Sequence, residues 1–174
     1  MKINIKLIFL LLVLPTYIFA EENNLQAGYY FQASPIGFGL KTDHTTAPEI
    51  PLEIGLGYTV NELISLEADG SVLLFWKPND ASSVEFLGRA VYNPVGRRLF
   101  SPFISFGLGV GSIEDKVTHT KDNQFLFGGD LGVVWNMAVH HAAVFRLSNI
   151  YHKTDYVRGS YNIAQASILY RFTF

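Results

Sequence analysis

The stretch that decides the fold is Ala164–Phe174, AQASILYRFTF. Its even positions, Ala164, Ala166, Ile168, Tyr170, Phe172 and Phe174, are apolar. Its odd positions, Gln165, Ser167, Leu169, Arg171 and Thr173, are mostly polar. A period of two places the sets on opposite faces of a strand. The same rhythm, broken by turn signals, recurs toward the N-terminus. It predicts eight strands, near Gln26–Ser34, Leu52–Val60, Ile64–Trp76, Val84–Tyr92, Phe103–Gly111, Gln124–Met137, Ala143–His152 and Tyr161–Phe174. The first is expected to bend or end at Pro35 and the Gly37–Gly39 pair. Three connections read as compact: Asn61–Leu63, Asn93–Pro102 and Ala138–Ala142. Four read as polar or flexible: Lys41–Pro51, Lys77–Ser83, Ser112–Asn123 and Lys153–Ser160.

One face of these strands is greasy throughout, with runs such as Leu52, Ile54, Leu56, Tyr58 and Ile104, Phe106, Leu108, Val110, and it carries no formal charge. The opposite face holds Glu53, Glu67, Asp69, Glu85, Arg89, Asp130, Arg146 and Arg171. A soluble sandwich buries the greasy face and sends its charges to water. A transmembrane barrel does the reverse, with apolar residues toward lipid and polar or small ones inside. Strands of about ten residues suit a bilayer crossing. Aromatics crowd toward strand ends (Tyr58, Trp76, Tyr92, Trp135, Tyr151, Phe172, Phe174), where an interfacial girdle sits. Backbone donors left unpaired in hydrocarbon are costly, so such a sheet must close. The expected fold is all-β: a closed, antiparallel, eight-stranded transmembrane β-barrel.

The rest of the sequence is consistent with that setting. Met1–Ala20 is laid out as a secretory signal: Lys2 and Lys6, the apolar run Leu7–Leu14, then small Ala20. The run is shorter than the ~20 residues that span a bilayer as a helix. The expected organisation is therefore a cleaved signal peptide over 1–20 and one barrel domain over 21–174. Without Lys2 and Lys6, the 13 basic residues fall to 11 against 15 acidic ones, a net charge of −4. That argues against nucleic acid as a partner. Cysteine is absent, which excludes a disulfide framework, thiol catalysis and cysteine-ligated zinc. His140–His141 falls in a turn, His44 and His119 fall in loops, and no metal-ligand spacing occurs, so neither metal nor cofactor is expected.

Two motifs carry a resemblance. Ile168-Leu169-Tyr170-Arg171-Phe172-Thr173-Phe174 resembles the C-terminal assembly signal of bacterial outer-membrane barrels. Pro102–Gly111, PFISFGLGVG, resembles the Gly-rich central strand of small OmpA-like barrels. The resemblance implies location in the outer membrane of a Gram-negative envelope. It also implies contact with outer-membrane lipid and lipopolysaccharide, and recognition by the barrel-assembly machinery through Tyr170, Phe172 and Phe174. A monomer is favoured.

Eight strands enclose a lumen just wide enough for their own side chains. Glu53, Glu67, Asp69, Glu85 and Asp130 are expected to pair there with Arg89, Arg146 and Arg171, because buried charges need partners. A narrow pore or proton path is the sharper alternative. Gly107, Gly109 and Gly111 are expected to leave room for bulky inward groups such as Tyr30, Phe75 or Leu126.

Phe145-Arg146-Leu147-Ser148-Asn149 partly resembles the His-x-Ser-Asn region of lipid A deacylase barrels. That resemblance matches at Ser148 and Asn149 and implies a nucleophilic Ser148; His152 and Asp155 could serve as base and orienting acid only if a local bend brought them to it. Arg146 stands where the base belongs and cannot accept a proton. His152 lies ~13 Å along an extended strand from Ser148, too far for a nucleophile–base contact. The sequence therefore favours a structural or surface-interaction protein over an acyl-ester hydrolase or a pore. Its longest polar connections, Lys41–Pro51 and Ser112–Asn123, are the candidates to face outward.

Overall fold

The computed structural model describes residues 28–42, 49–75, 81–115, 117–154 and 160–174. The signal segment 1–20, Trp76, Asp155, and the middles of Lys41–Pro51, Lys77–Ser83 and Lys153–Ser160 lie outside them. So does the Phe75 side chain.

Eight strands form one closed antiparallel barrel in chain order. They are β1 (Gly28–Thr42), β2 (Glu49–Thr59), β3 (Ile64–Phe75), β4 (Ala81–Tyr92), β5 (Phe100–Asp115), β6 (Thr120–Asn136), β7 (His141–Thr154) and β8 (Tyr161–Thr173). Closure comes from β1 pairing with β8 as well as with β2, Phe31 facing Phe172 on one side and Leu56 on the other. One end, termed proximal here, carries Gly28, Phe174 and the turns over 60–63, 93–99 and 137–140. The opposite, distal end carries the 117–119 turn and the far ends of the strands.

The sheet is inside out relative to a soluble protein. On β2, Ile54 is 61% exposed while its neighbour Glu53 is 2% exposed; on β4, Phe86 is 63% exposed beside Glu85 at 1%. The alternation read from the sequence holds on every strand, with the greasy set outward. Exposed aromatics gather at the proximal rim, where Tyr29 packs on Tyr58 (centroids 4.9 Å apart) and Phe100 stacks on Trp135 (6.0 Å).

Three expectations need correction. First, β1 does not end at Pro35. It continues to Thr42, with register shifts against β8 between Ala33 and Ile36 and between Gly39 and Lys41. A bulge lets a proline pass because the missing donor falls where the ladder is already interrupted. Second, the distal strands are longer than hydrophobicity suggests. Most of Ser112–Asn123 is ladder, with Ser112 paired to Asn123 and Asp115 to Thr120, so that connection shrinks to 116–119. There Asp115 Oδ1 accepts from the Val117 and Thr118 amides at 2.8 and 3.1 Å, and His119 takes φ 55° to complete the turn. Third, the β5 glycines meet the expected partners only in part. A Cβ on Gly109 would stand 2.1 Å from the Phe86 carbonyl oxygen, and on Gly107 3.0 Å from Arg89 Cγ. Gly111 faces Val84 and Glu85. Leu126 does stand across the ladder from Gly109, packed with Leu87 and Ile150, whereas Tyr30 packs over Gly57 on β2.

Candidate functional site

Period-two alternation sends every second side chain into the lumen, so the interior is read along each strand in turn. On β7, from the proximal end, the inward residues are Ala142, Val144, Arg146, Ser148, Ile150, His152 and Thr154, all buried. Ala142 and Val144 join Val91, Phe103, Val134 and Leu169 in an apolar cluster at the proximal end. Ile150 joins Leu87 and Leu126 in a middle cluster. Leu73, Ala81, Ile113, Tyr161 and Ile163 form a distal one. Two polar groups lie between these clusters.

The larger polar group is a charge network drawn from six strands. Arg146 on β7 reaches across the lumen to Glu53 on β2, and its Nη2 lies 2.7 Å from Glu67 Oε2 on β3. Arg89 on β4 pairs with Asp69, lies 3.2 Å from Glu53 Oε1, and sets its Nε 3.0 Å from Asp130 Oδ2 on β6. Arg171 on β8 sets Nη2 2.7 Å from Glu67 Oε1 and its guanidinium 4.1 Å from the Tyr30 ring centroid. Four carboxylates thus meet three guanidinium groups, and neutral donors serve the remainder. Tyr30 donates to Glu67 at 2.7 Å, Gln32 to Glu67 at 3.0 Å and to Asp69 at 2.9 Å, and Ser105 to Asp130. Charged hydrogen bonds of this kind are the strong ones. With every member at most part-exposed, each charge depends on its partners rather than on water.

The smaller group was only half visible in the sequence. Glu85, read as one more acid for the arginines, instead meets His152, whose Nε2 lies 2.9 Å from Glu85 Oε1. Ser83 donates to the same carboxylate oxygen at 2.9 Å. The His152 ring stacks on Tyr161 with centroids 4.7 Å apart and planes within 4°, and Gln124 donates to the Tyr161 hydroxyl at 2.8 Å. Glu85 and His152 are 67 residues apart, so only the register of β4 and β7 around the barrel brings them together.

Of the catalytic alternative, Ser148 and His152 are not brought together, and Asp155 lies outside the described residues. Ser148 points into the lumen at the level of the charge network, opposite Asp130 and Gln165, and its Oγ has no hydrogen-bond partner. His152 is two inward places further along β7, with Ile150 between them. Arg146 is held in its ion pairs. Asp130, the carboxylate across the ladder from Ser148, is held by Arg89 and Ser105.

Tyr170, Phe172 and Phe174, expected to form an assembly signal, are part of the proximal rim. Phe172 meets Phe174 edge-on at 5.4 Å, and His141 packs against both Phe172 and Tyr170.

The closed ring, greasy exterior and charge-filled lumen define the fold of the small eight-stranded outer-membrane barrels. Solved structures of that kind superpose on it. Neisserial surface protein A (NspA) matches with a TM-score of 0.71 at 16% identity, covering 86% of this chain and 100% of its own. Ail, the attachment invasion locus protein of Yersinia pestis, matches with a TM-score of 0.56 at 11% identity, covering 86% and 100%. The outer membrane protein OprG from Pseudomonas aeruginosa gives 0.56 at 12%, covering 86% and 97%. At these identities the likeness is one of fold. No family model and no curated protein matches the sequence.

Proposed function

We propose that this chain is a bacterial outer-membrane protein, exported behind a cleaved signal peptide, with a non-catalytic structural or surface-interaction role. One observation carries the reading: the side chains that a soluble protein would bury face outward, while ionised ones from six strands bridge the lumen. Only a hydrocarbon surround makes that arrangement favourable. Neighbours named as a surface protein and as an attachment invasion locus protein support a role at the cell surface. In this reading the proximal end faces the periplasm, and the distal connections meet lipopolysaccharide, host surfaces or other proteins. The C-terminal strand is the part read by the assembly machinery. Arg146, spanning from β7 to β2, fills the path a pore would need.

The test is expression in a Gram-negative host with single cysteines at Val117 and Val139, both exposed. A membrane-impermeant maleimide on intact cells should label Val117→Cys and spare Val139→Cys, in the outer-membrane fraction. Equal labelling, or recovery in the soluble fraction, would refute the reading.

A further inference from the structure

The proximal mouth holds a small cavity of about 50 Å³, lined among others by Tyr30, Ser65, Asn93, Arg97, Asn136 and Arg171. That is room for about three to five water-sized oxygens. Two guanidinium groups face this one space. Arg171 uses Nη2 for Gln32 and Glu67, while its Nε is buried without a hydrogen-bond partner. Arg97, in the 93–99 turn, donates to the Val139 carbonyl. Among the described residues it has no carboxylate within ion-pair distance. Its guanidinium is therefore half-buried beside a like charge. Burial first, and Arg171 second, lower its pKa.

We infer that this mouth is a binding site for a small oxyanion of the phosphate class, gripped by Arg97 with Arg171 behind it. A guanidinium offers five donors in a planar fork, a geometry that matches phosphate oxygens. Ser65 and Asn93 add neutral polar groups to the same wall. Glu62 also lines the cavity, beside Gly96, and is the group an anion must displace or avoid. The cavity opens at the centre of the mouth rather than on the outer wall. A soluble phosphate reaches it directly, whereas a phospholipid headgroup must lean in over the rim.

The experiment uses the full barrel refolded in a phosphate-free maltoside micelle, at constant ionic strength set with chloride. Inorganic phosphate and dihexanoyl phosphatidic acid are titrated separately, and the Gly96 and Arg97 amide shifts are followed by NMR. The expected result is a saturable shift with inorganic phosphate. Arg97→Gln should weaken it at least about tenfold, the scale of one lost charge-assisted hydrogen bond. Arg97→Lys should fall between, Glu62→Gln should tighten binding, and Arg98→Gln should change it less than about twofold, since Arg98 does not line the cavity. A saturable response to phosphatidic acid alone, lost in Arg97→Gln, supports the site with a headgroup as its source. No saturable response to either probe, or equal affinity in wild type and a folded Arg97→Gln, overturns the inference.

Discussion

Removing Arg146 is the sharpest test of what holds the lumen together. Its guanidinium bridges Glu53 and Glu67 and lies 3.7 Å from Asp69. Arg146→Met keeps most of the volume and deletes the charge. Two of the three arginine–acid sets stay, but four carboxylates then face only Arg89 and Arg171. Leaving a buried charge uncompensated costs about 3–5 kcal/mol, and Arg146, 2% exposed, belongs at the upper part of that range. The assay is urea unfolding of the barrel in lipid vesicles, followed by tryptophan fluorescence, which includes Trp135 on the rim. The midpoint should fall with an unchanged slope. Glu53→Gln in the Arg146→Met background should recover part of the loss, so the two changes together cost less than their sum. Additive effects, or a loss below about 1 kcal/mol for Arg146→Met, would mean that water already solvates these groups and that the lumen is open.

Three further outcomes follow from the same interior. His152→Ala should destabilise by about 1–3 kcal/mol, because among the described residues Glu85 then keeps only Ser83 as a partner; Glu85→Gln in that background should restore stability in the same urea titration. Gly109→Ala should cost about 1–3 kcal/mol by overpacking, since its Cβ would meet the Phe86 carbonyl oxygen. Gly88→Ala, whose nearest neighbour is 3.9 Å away, should be neutral in parallel melts. Ser148→Ala should leave stability within about 0.5 kcal/mol, because its Oγ makes no hydrogen bond. Mass analysis should show the same lipid A acylation with wild type and with Ser148→Ala, and loss of an acyl chain only with wild type would establish hydrolysis.

What was legible in the sequence was whatever depends on local alternation. Ala164–Phe174 announces both the strand and its sidedness, because the pleat ties every second residue to one face. The same logic places Arg89, Arg146 and the acids on the inward face without any knowledge of neighbours. Strand ends at the distal side were not legible. Ser112, Glu114, Lys121 and Asn123 look like loop, yet the ladder continues through them because backbone pairing is indifferent to side-chain polarity once a hairpin is in register. The passage of β1 through Pro35 was hidden for a related reason, since a bulge depends on the partner strand. Pairing across the lumen was out of reach altogether. Arg146 with Glu53 and His152 with Glu85 join residues 93 and 67 positions apart, and only closure fixes those distances.

The seam between β1 and β8 has a kinetic meaning. Seven of the eight interstrand ladders are hairpins, each zipping from its own turn. The eighth joins Tyr30 to Thr173 across almost the whole chain. Tethering ends that far apart carries a loop-closure cost of about 4 kcal/mol for a flexible chain, well above that of a short turn. It is also the ladder that carries the two register shifts, so its pairing cannot zip through in a single register. The barrel should therefore grow as a curling sheet and shut last along β1–β8. Until that step, two strand edges stay unpaired, and none of the cross-lumen charges from β2 and β7 has met its partner.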